Sequence, residues 1–317
     1  MDQGAGDVVA RLADAAWLPP LGPYACFGQR WWLRTTDPAL ASMLADLFAS
    51  FACARREDDE PSAPVYGILP VSAHGRGAVE RDGELMRSRN SASGLLRHLI
   101  WLINRQVIDA SLDRLLLHTA AAEVDGRVVL LPAPMESGKT TLVTGLLDRG
   151  AAYLTDEAAA VADDLTVTGY PKPLSIDAGA RSVLAHHAPD LDEGLAAYHA
   201  SQWQVQPASF TRVVADGPLG VIVFPRYESG AATELRRLRP VEAVDHAVPC
   251  TFAPKGEPVP TAKVRQLAGI ATAVPCYALT SGSLDEACDA VFTAAREARA
   301  EREAEPASDR RREDPAG

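Results

Sequence analysis

The chain has no excess of basic residues. Its 31 lysines and arginines face 42 aspartates and glutamates, giving a formal net charge of -11. That argues against a general binder of nucleic acid or of anionic membrane, since both need a basic surface. A small anionic ligand held in one local site stays open. No segment approaches the apolar length of a membrane span. The opening residues, from Met1 to Asp7, are acidic and lack the apolar stretch of a signal peptide. Cysteine is sparse: Cys26, Cys53, Cys250, Cys276 and Cys288 are odd in number, and no pair has a metal-ligand spacing. Buried thiols in a reducing compartment are the simplest account. No internal repeat is visible. These absences point to a soluble, cytoplasmic protein, and 47% apolar residues are enough for a full core.

The first third carries no chemical constellation. Residues 8–17 read as a short amphipathic helix and 27–34 as a strand. Asp37-Pro38 is a helix start, with Leu40, Met43, Leu44, Leu47, Phe48 and Phe51 on the buried face. Residues 65–69 and 77–86 read as strands, the second broken by an Asp82-Gly83 turn. Ser91 or Ser93 caps a longer helix to about Ala110. The neighbours Trp31 and Trp32 either form a binding surface or are split, one in the core and one at a domain contact. Residues 1–110 thus read as a small α+β domain.

The second domain, 111–304, holds the informative stretch. Arg127 to Leu131 is a short apolar run, as in a buried strand. Ala133, Pro134, Met135, Glu136, Ser137, Gly138, Lys139, Thr140 and Thr141 follow. They form a phosphate-binding loop of the G-x-x-x-x-G-K-[ST] type, with Ala133 in place of the first glycine. Thr141 to Arg149 reads as a helix with Leu142, Leu146 and Leu147 on one face, and Gly150 stands where a left-handed cap ends it. Strand, loop and helix together aim backbone N–H groups at an anion. Lys139 would reach the β- and γ-phosphates of ATP, and the Thr140 hydroxyl would ligate Mg²⁺. Alanine at position 133 is disfavoured if that position needs a positive φ. Glu136 puts a carboxylate beside the proposed polyphosphate.

Further along, Asp163-Asp164 reads as a solvated turn between short strands, and 177–201, rich in alanine, as helical. His186-His187 has acids nearby but not the spaced ligands of a zinc site. Leu219 to Phe224 is a buried strand with Arg226 at its carboxyl end, where α/β sheets place ligands. Residues 234–239 read as a strand, 264–273 as a helix, 274–279 as a strand, and Ser283 caps the last helix. Residues 305–317 read as a disordered tail.

His118 opens a strand that turns at Asp125-Gly126 and returns into the loop; after the helix, residues 151–157 run as a strand into Asp156-Glu157. With Tyr170 to Ser175, Phe224 to Tyr227 and Val274 to Tyr277, this succession resembles the HPr kinase/phosphorylase family, and more closely its broad set of HPr-kinase-like relatives. The resemblance runs from about Leu115 to Phe292, in motifs. It implies an α/β P-loop catalytic domain of the HPr-kinase-like, phosphoenolpyruvate-carboxykinase-like kind beside the smaller α+β domain. It implies ATP and Mg²⁺ as cofactors, and transfer of the γ-phosphate to a serine or threonine hydroxyl of a protein or peptide, such as a biosynthetic precursor peptide. It admits a homo-oligomer. Asp156 matches the first acid of the family's pair and would act as general base. Glu157 replaces the second aspartate and would bind the metal. His118 would orient an acid or contact phosphate, or else be structural. Arg226 would neutralise charge on the transferred phosphoryl group, or form a surface ion pair. Lys172, between two prolines, is either a second phosphate contact or a rigid exposed turn. A nucleotide-binding module without transfer, and a small-molecule kinase or carboxykinase, are the alternatives.

Overall fold

A computed structural model of the chain describes residues 3–55, 63–72, 75–134 and 137–304. The tail 305–317, the loop residues Met135 and Glu136, and most of the charged stretch 55–62 therefore lie outside the described residues. In chain order the elements are α1 Gln3–Ala13, β1 Leu21–Cys26, β2 Gln29–Thr35, α2 Pro38–Leu47, β3 Val65–Leu69, β4 Gly77–Arg81, β5 Glu84–Arg89 and α3 Ala92–Asp109. Next come β6 Leu116–Val124, β7 Arg127–Pro132, α4 Lys139–Asp148, β8 Ala152–Thr155, β9 Ala158–Val161 and β10 Thr166–Gly169. They are followed by β11 Leu174–Asp177, α5 Glu193–Ala196, β12 Gln202–Val205, β13 Asp216–Tyr227, β14 Glu234–Arg237, α6 Pro240–Ala247, α7 Thr261–Ala273, β15 Cys276–Ser281 and α8 Leu284–Ala304. The fold is mixed α/β with several sheets. Among the described residues, no helix is long and apolar enough to cross a membrane.

Contacts divide the chain into two compact units, Met1–Asp113 with Tyr170–Val213, and Arg114–Gly169 with Val214–Gly317. The segment Tyr170–Val213, which the sequence places within a continuous second domain, groups with the first unit.

The first unit carries a five-stranded sheet in the order β1-β2-β3-β4-β5, in which only β2 and β3 run parallel. Asp37 caps α2 as expected: its Oδ1 accepts from Ala39 N at 2.8 Å and Leu40 N at 3.0 Å. Such a cap is worth about 1 kcal/mol. The expected strand 27–34 is instead the turn of a hairpin plus β2, because Phe27 and Gly28 both take positive φ and reverse the chain. Trp31 and Trp32 are both buried, at 1% and 9% exposure, so neither waits at an open surface. Trp31 packs edge-on against Phe51, which meets Tyr170 at 4.8 Å between centroids. The expected helix over 177–201 is absent. There β11 and β12 pair, and only short helical turns and α5 lie between them. Gly179, Pro189 and Gly194 interrupt the alanines, and Asp177 and Asp192 favour turns. Lys172 is buried rather than on an exposed turn; its Nζ donates to Pro173 O and Ser175 Oγ, both at 3.1 Å.

The second unit is built on an eight-stranded sheet. Its main path is β10-β9-β6-β7-β13-β15-β14, and β8 also pairs with β6. β7, β13 and β15 run parallel, so their carboxyl ends meet at one edge. β8 is antiparallel to β6, as β7 is, so β8 also ends at that edge. Val128 and Leu130 share a cluster with Ile222, Phe224, Cys276 and residues of α6 and α7. The alternate residues Val129, Leu131, Val221 and Val223 are buried too. Burial on both faces explains why these strands read as unbroken apolar runs. α4 and α8 approach closely at Gly145, where a Cβ would come within 2.9 Å of Cys288 Sγ.

Candidate functional site

The β6–β7 hairpin turns at Asp125 and Gly126, with φ of 50° and 79°, the left-handed pair that a two-residue hairpin prefers. β7 then ends at Pro132, and the chain passes through Ala133 and Pro134 before entering α4. Gly138 occupies the N-cap of α4 with φ 85°. Among the described residues a Cβ there would meet only Tyr227 Cβ, at 3.5 Å, and the positive φ is what favours glycine. Ala133, the departure from the motif, is not among the four described non-glycine residues with positive φ. Alanine is therefore compatible with this path. α4 ends in a Schellman motif, with Ala151 N to Leu146 O and Gly150 N to Leu147 O, and Gly150 at φ 95°.

Lys139 is 6% exposed. Its ammonium turns back onto its own loop, donating to Ala133 O at 2.7 Å, Pro134 O at 2.6 Å and Ser137 Oγ at 3.4 Å. Burial holds its pKa below the ordinary lysine value, while Cys250, Glu157 and Asp156 pull it back up. Thr140 Oγ1 donates to Asp156 Oδ2 at 3.2 Å, and Thr144 Oγ1 donates to Thr140 O at 2.7 Å. Thr141 lies in the first turn of α4.

The acids follow β8. Asp156 is 4% exposed, and its second oxygen accepts from the Tyr153 hydroxyl at 3.1 Å. Complete burial, then the Asp156 charge, pushes the Tyr153 phenol well above its usual pKa, so it stays a donor. Thr155 shapes the step between the acids and β9: its Oγ1 accepts from Glu157 N at 3.0 Å and Ala158 N at 3.2 Å. His118, on β6 opposite Ala158, bonds through Nδ1 to Glu157 O at 2.9 Å and lies 3.9 Å from Glu157 Oε1. A carbonyl partner makes Nδ1 the donor in the neutral ring. The histidine thus holds the peptide between the acids and β9, while the Glu157 carboxylate faces His118.

Beside the loop lies an open cleft of about 460 Å³, lined by Ala133, Pro134 and Ser137 on one side and by ends of β13, β14, β15 and α6 on the other. Arg226 lines it, with 76% of its side chain exposed and Nη2 3.3 Å from Glu228 Oε2. Arg236, Glu234 and His246 line it too.

The loop, His118 and the acid pair thus share one sheet edge, and Arg226 stands across the cleft. Sequence reasoning missed Tyr153 and Thr155, which fix the two acids, and α6, which brings His246. The signal for α6 was present: Pro240 at the first helical position and Glu242 at the third, whose Oε2 accepts from Arg239 N at 2.9 Å.

No family model matches the chain, and no curated protein matches it. Among solved structures, the chain is similar to the Hpr(Ser) kinase/phosphatase from Coxiella burnetii, at 12% identity over 59% of this chain and 98% of that one, with a TM-score of 0.31.

Proposed function

We propose that the chain is an ATP-dependent phosphotransferase that passes the γ-phosphate to a hydroxyl, a serine or threonine of a protein or peptide. The contact between Thr140 Oγ1 and Asp156 Oδ2 at 3.2 Å carries this reading. It sets a hydroxyl at the start of a phosphate-facing helix beside a carboxylate at a neighbouring strand end. That is the donor pair a nucleotide-bound Mg²⁺ needs. Hydroxyl and carboxylate oxygens are hard ligands and fit magnesium rather than a soft metal. When bound, the metal would neutralise charge on the phosphates.

The chain's own residues divide the remaining work. Backbone N–H groups at the start of α4 and the Lys139 ammonium would hold phosphate oxygens. Asp156, locked by Thr140 and Tyr153, fits the metal side of the site better than the role of a free general base. The Glu157 carboxylate, beside His118, is the group left to accept the acceptor's proton. The geometry thus favours exchanging the two roles that the resemblance implies. Arg226 would swing from Glu228 to the transferred group across the cleft.

Transfer of label from γ-labelled ATP to candidate protein, peptide and small-molecule acceptors tests the proposal. Asp156→Asn should abolish Mg²⁺-dependent transfer, and Glu157→Gln should slow transfer while ATP·Mg²⁺ binding persists. Nucleotide binding without transfer is the second reading, and the exposed, ion-paired Arg226 favours it. ATP bound by wild type, with label reaching no acceptor and no water, would establish it.

A further inference from the structure

The outward face of α3, in the first unit, has no role in the phosphate site. Trp101 stands on it with 56% of its surface exposed. Arg97 and Arg105, one turn before and one turn after, are exposed on the same stripe. The His98 ring stacks on the indole, with centroids 5.4 Å apart and planes at 24°. β5 adds two more cations. Arg89 lies along the first turn of α3, where its Cγ would sit 3.6 Å from a Cβ at Gly94. Arg87 and Arg89 both act on His98, whose pKa is lowered first by burial and then by these two charges. Arg105 is paired with Asp109 at 2.7 Å. Among the described residues, Arg87, Arg89 and Arg97 carry no ion pair.

Unpaired arginines are notable on a chain of net charge -11. An isolated exposed arginine is ordinary. Arg97 one turn from an exposed, stacked tryptophan, with Arg89 along the first turn of the same helix, combines the two residue types that dominate binding hot spots. Guanidinium groups favour carboxylates through paired hydrogen bonds, and the indole offers an apolar platform.

We propose that this face docks an acidic segment of a partner protein, with carboxylates on Arg89 and Arg97 and an apolar side chain on Trp101. Spacing sets the length. Arg97 and Trp101 lie about 6 Å apart along the helix axis, so a short segment covers the patch. A long polyanion is disfavoured, because its uniform charge would run on past the patch over an acidic protein. Only charges within about 8 Å escape screening at physiological salt, so a short acidic segment feels the patch rather than the net charge.

The test is fluorescence anisotropy with the full chain and a short labelled peptide of aspartates and glutamates around one leucine. A peptide with every acid replaced by its amide, and a single-stranded oligonucleotide of similar length, are the comparisons. The acidic peptide should bind saturably and its amide version should not. Arg97→Glu and Trp101→Ala should each weaken binding by about tenfold or more. Both positions are exposed, so circular dichroism should stay unchanged. Arg265→Glu on α7 removes the same charge and should leave affinity intact. Lys139→Met should also leave it intact, which separates this surface from the phosphate loop. Absence of saturable binding overturns the proposal, as does equal weakening by Arg265→Glu. Tighter binding of the oligonucleotide, lost in Arg97→Glu, would replace the protein partner with a nucleic acid.

Discussion

Replacing Lys139 by methionine tests the proposed phosphate loop most directly. Methionine keeps the length and apolar stem of the side chain and removes only the ammonium. That ammonium donates to Ala133 O and Pro134 O, so phosphate must draw it from those carbonyls. Binding exchanges two neutral carbonyl acceptors for charged phosphate oxygens. The ammonium is charged in both states, so what binding adds is attraction between full opposite charges, about 4 kcal/mol at about 4 Å for an effective dielectric of about 20. After the lost carbonyl bonds and the desolvation of phosphate are subtracted, the net gain is about 1–3 kcal/mol, or on the order of ten- to a hundredfold in Kd. Calorimetric titration of ATP with Mg²⁺ should show that loss in Lys139→Met. The melting temperature without ligand should change by only a few degrees, since the loss of two bonds from the ammonium is offset by no longer burying its charge. Lys139→Arg should not restore affinity, because a planar fork does not fit a slot where the lysine is 6% exposed. Equal affinity of Lys139→Met and wild type would refute the reasoning. So would a loss of binding matched by a loss of fold.

Tyr153→Phe removes a hydroxyl that holds Asp156 and should destabilise the chain by about 1–2 kcal/mol, read as a lower urea midpoint, with weaker Mg²⁺ dependence of ATP binding. Gly145→Val overpacks the α4–α8 contact and should cost about 1–3 kcal/mol by the same measurement. It should also weaken ATP binding, because α4 carries Lys139 and Thr140. His199 is buried in the first unit and accepts from Gln204 N at 3.1 Å through Nδ1, and burial lowers its pKa from 6.5 to about 4. Between those values the unfolded imidazole holds a proton that the folded one lacks, so stability falls as pH drops from 6.5 toward 4. The loss is at most about 3 kcal/mol. His199→Asn keeps an acceptor for Gln204 and should flatten that part of the profile; an unchanged acid sensitivity in the variant would remove His199 as its cause.

Local chemistry explains which parts were legible before the structure. Asp37, Gly150 and the Asp125-Gly126 pair act on backbone groups within a few residues, so their effects can be read from short stretches. The buried runs of β7 and β13 are equally plain because both faces are covered. The strand, loop and helix around Lys139 could be located from their flanks, but nothing local tells that Lys139 bonds its own carbonyls. Tyr153 reads as an ordinary strand aromatic, and only the fold places its hydroxyl on Asp156. The segment 177–201 misled because alanine content suggests helix, whereas the pairing of Leu174–Asp177 with Gln202–Val205 is long-range. Grouping of Tyr170–Val213 with the first unit is likewise a tertiary choice that no composition shift marks.

That excursion leaves and re-enters the second unit through a narrow gate. β10 ends at Gly169 and β13 begins at Asp216; the two strands pair antiparallel, and Gly169 N donates to Ala215 O at 3.0 Å. Residues 170–213 are therefore spliced in at the tip of what would otherwise be a plain hairpin. The graft could be excised and its ends rejoined by a tight turn without opening the sheet. The second unit would then be one unbroken polypeptide from Arg114 to Ala304, with the sheet edge that carries the candidate site on it. The first unit has no such shortcut. Truncation after Asp113 strips it of β11, β12 and Tyr170, the ring that packs on Phe51, so the modularity of this chain runs in one direction only.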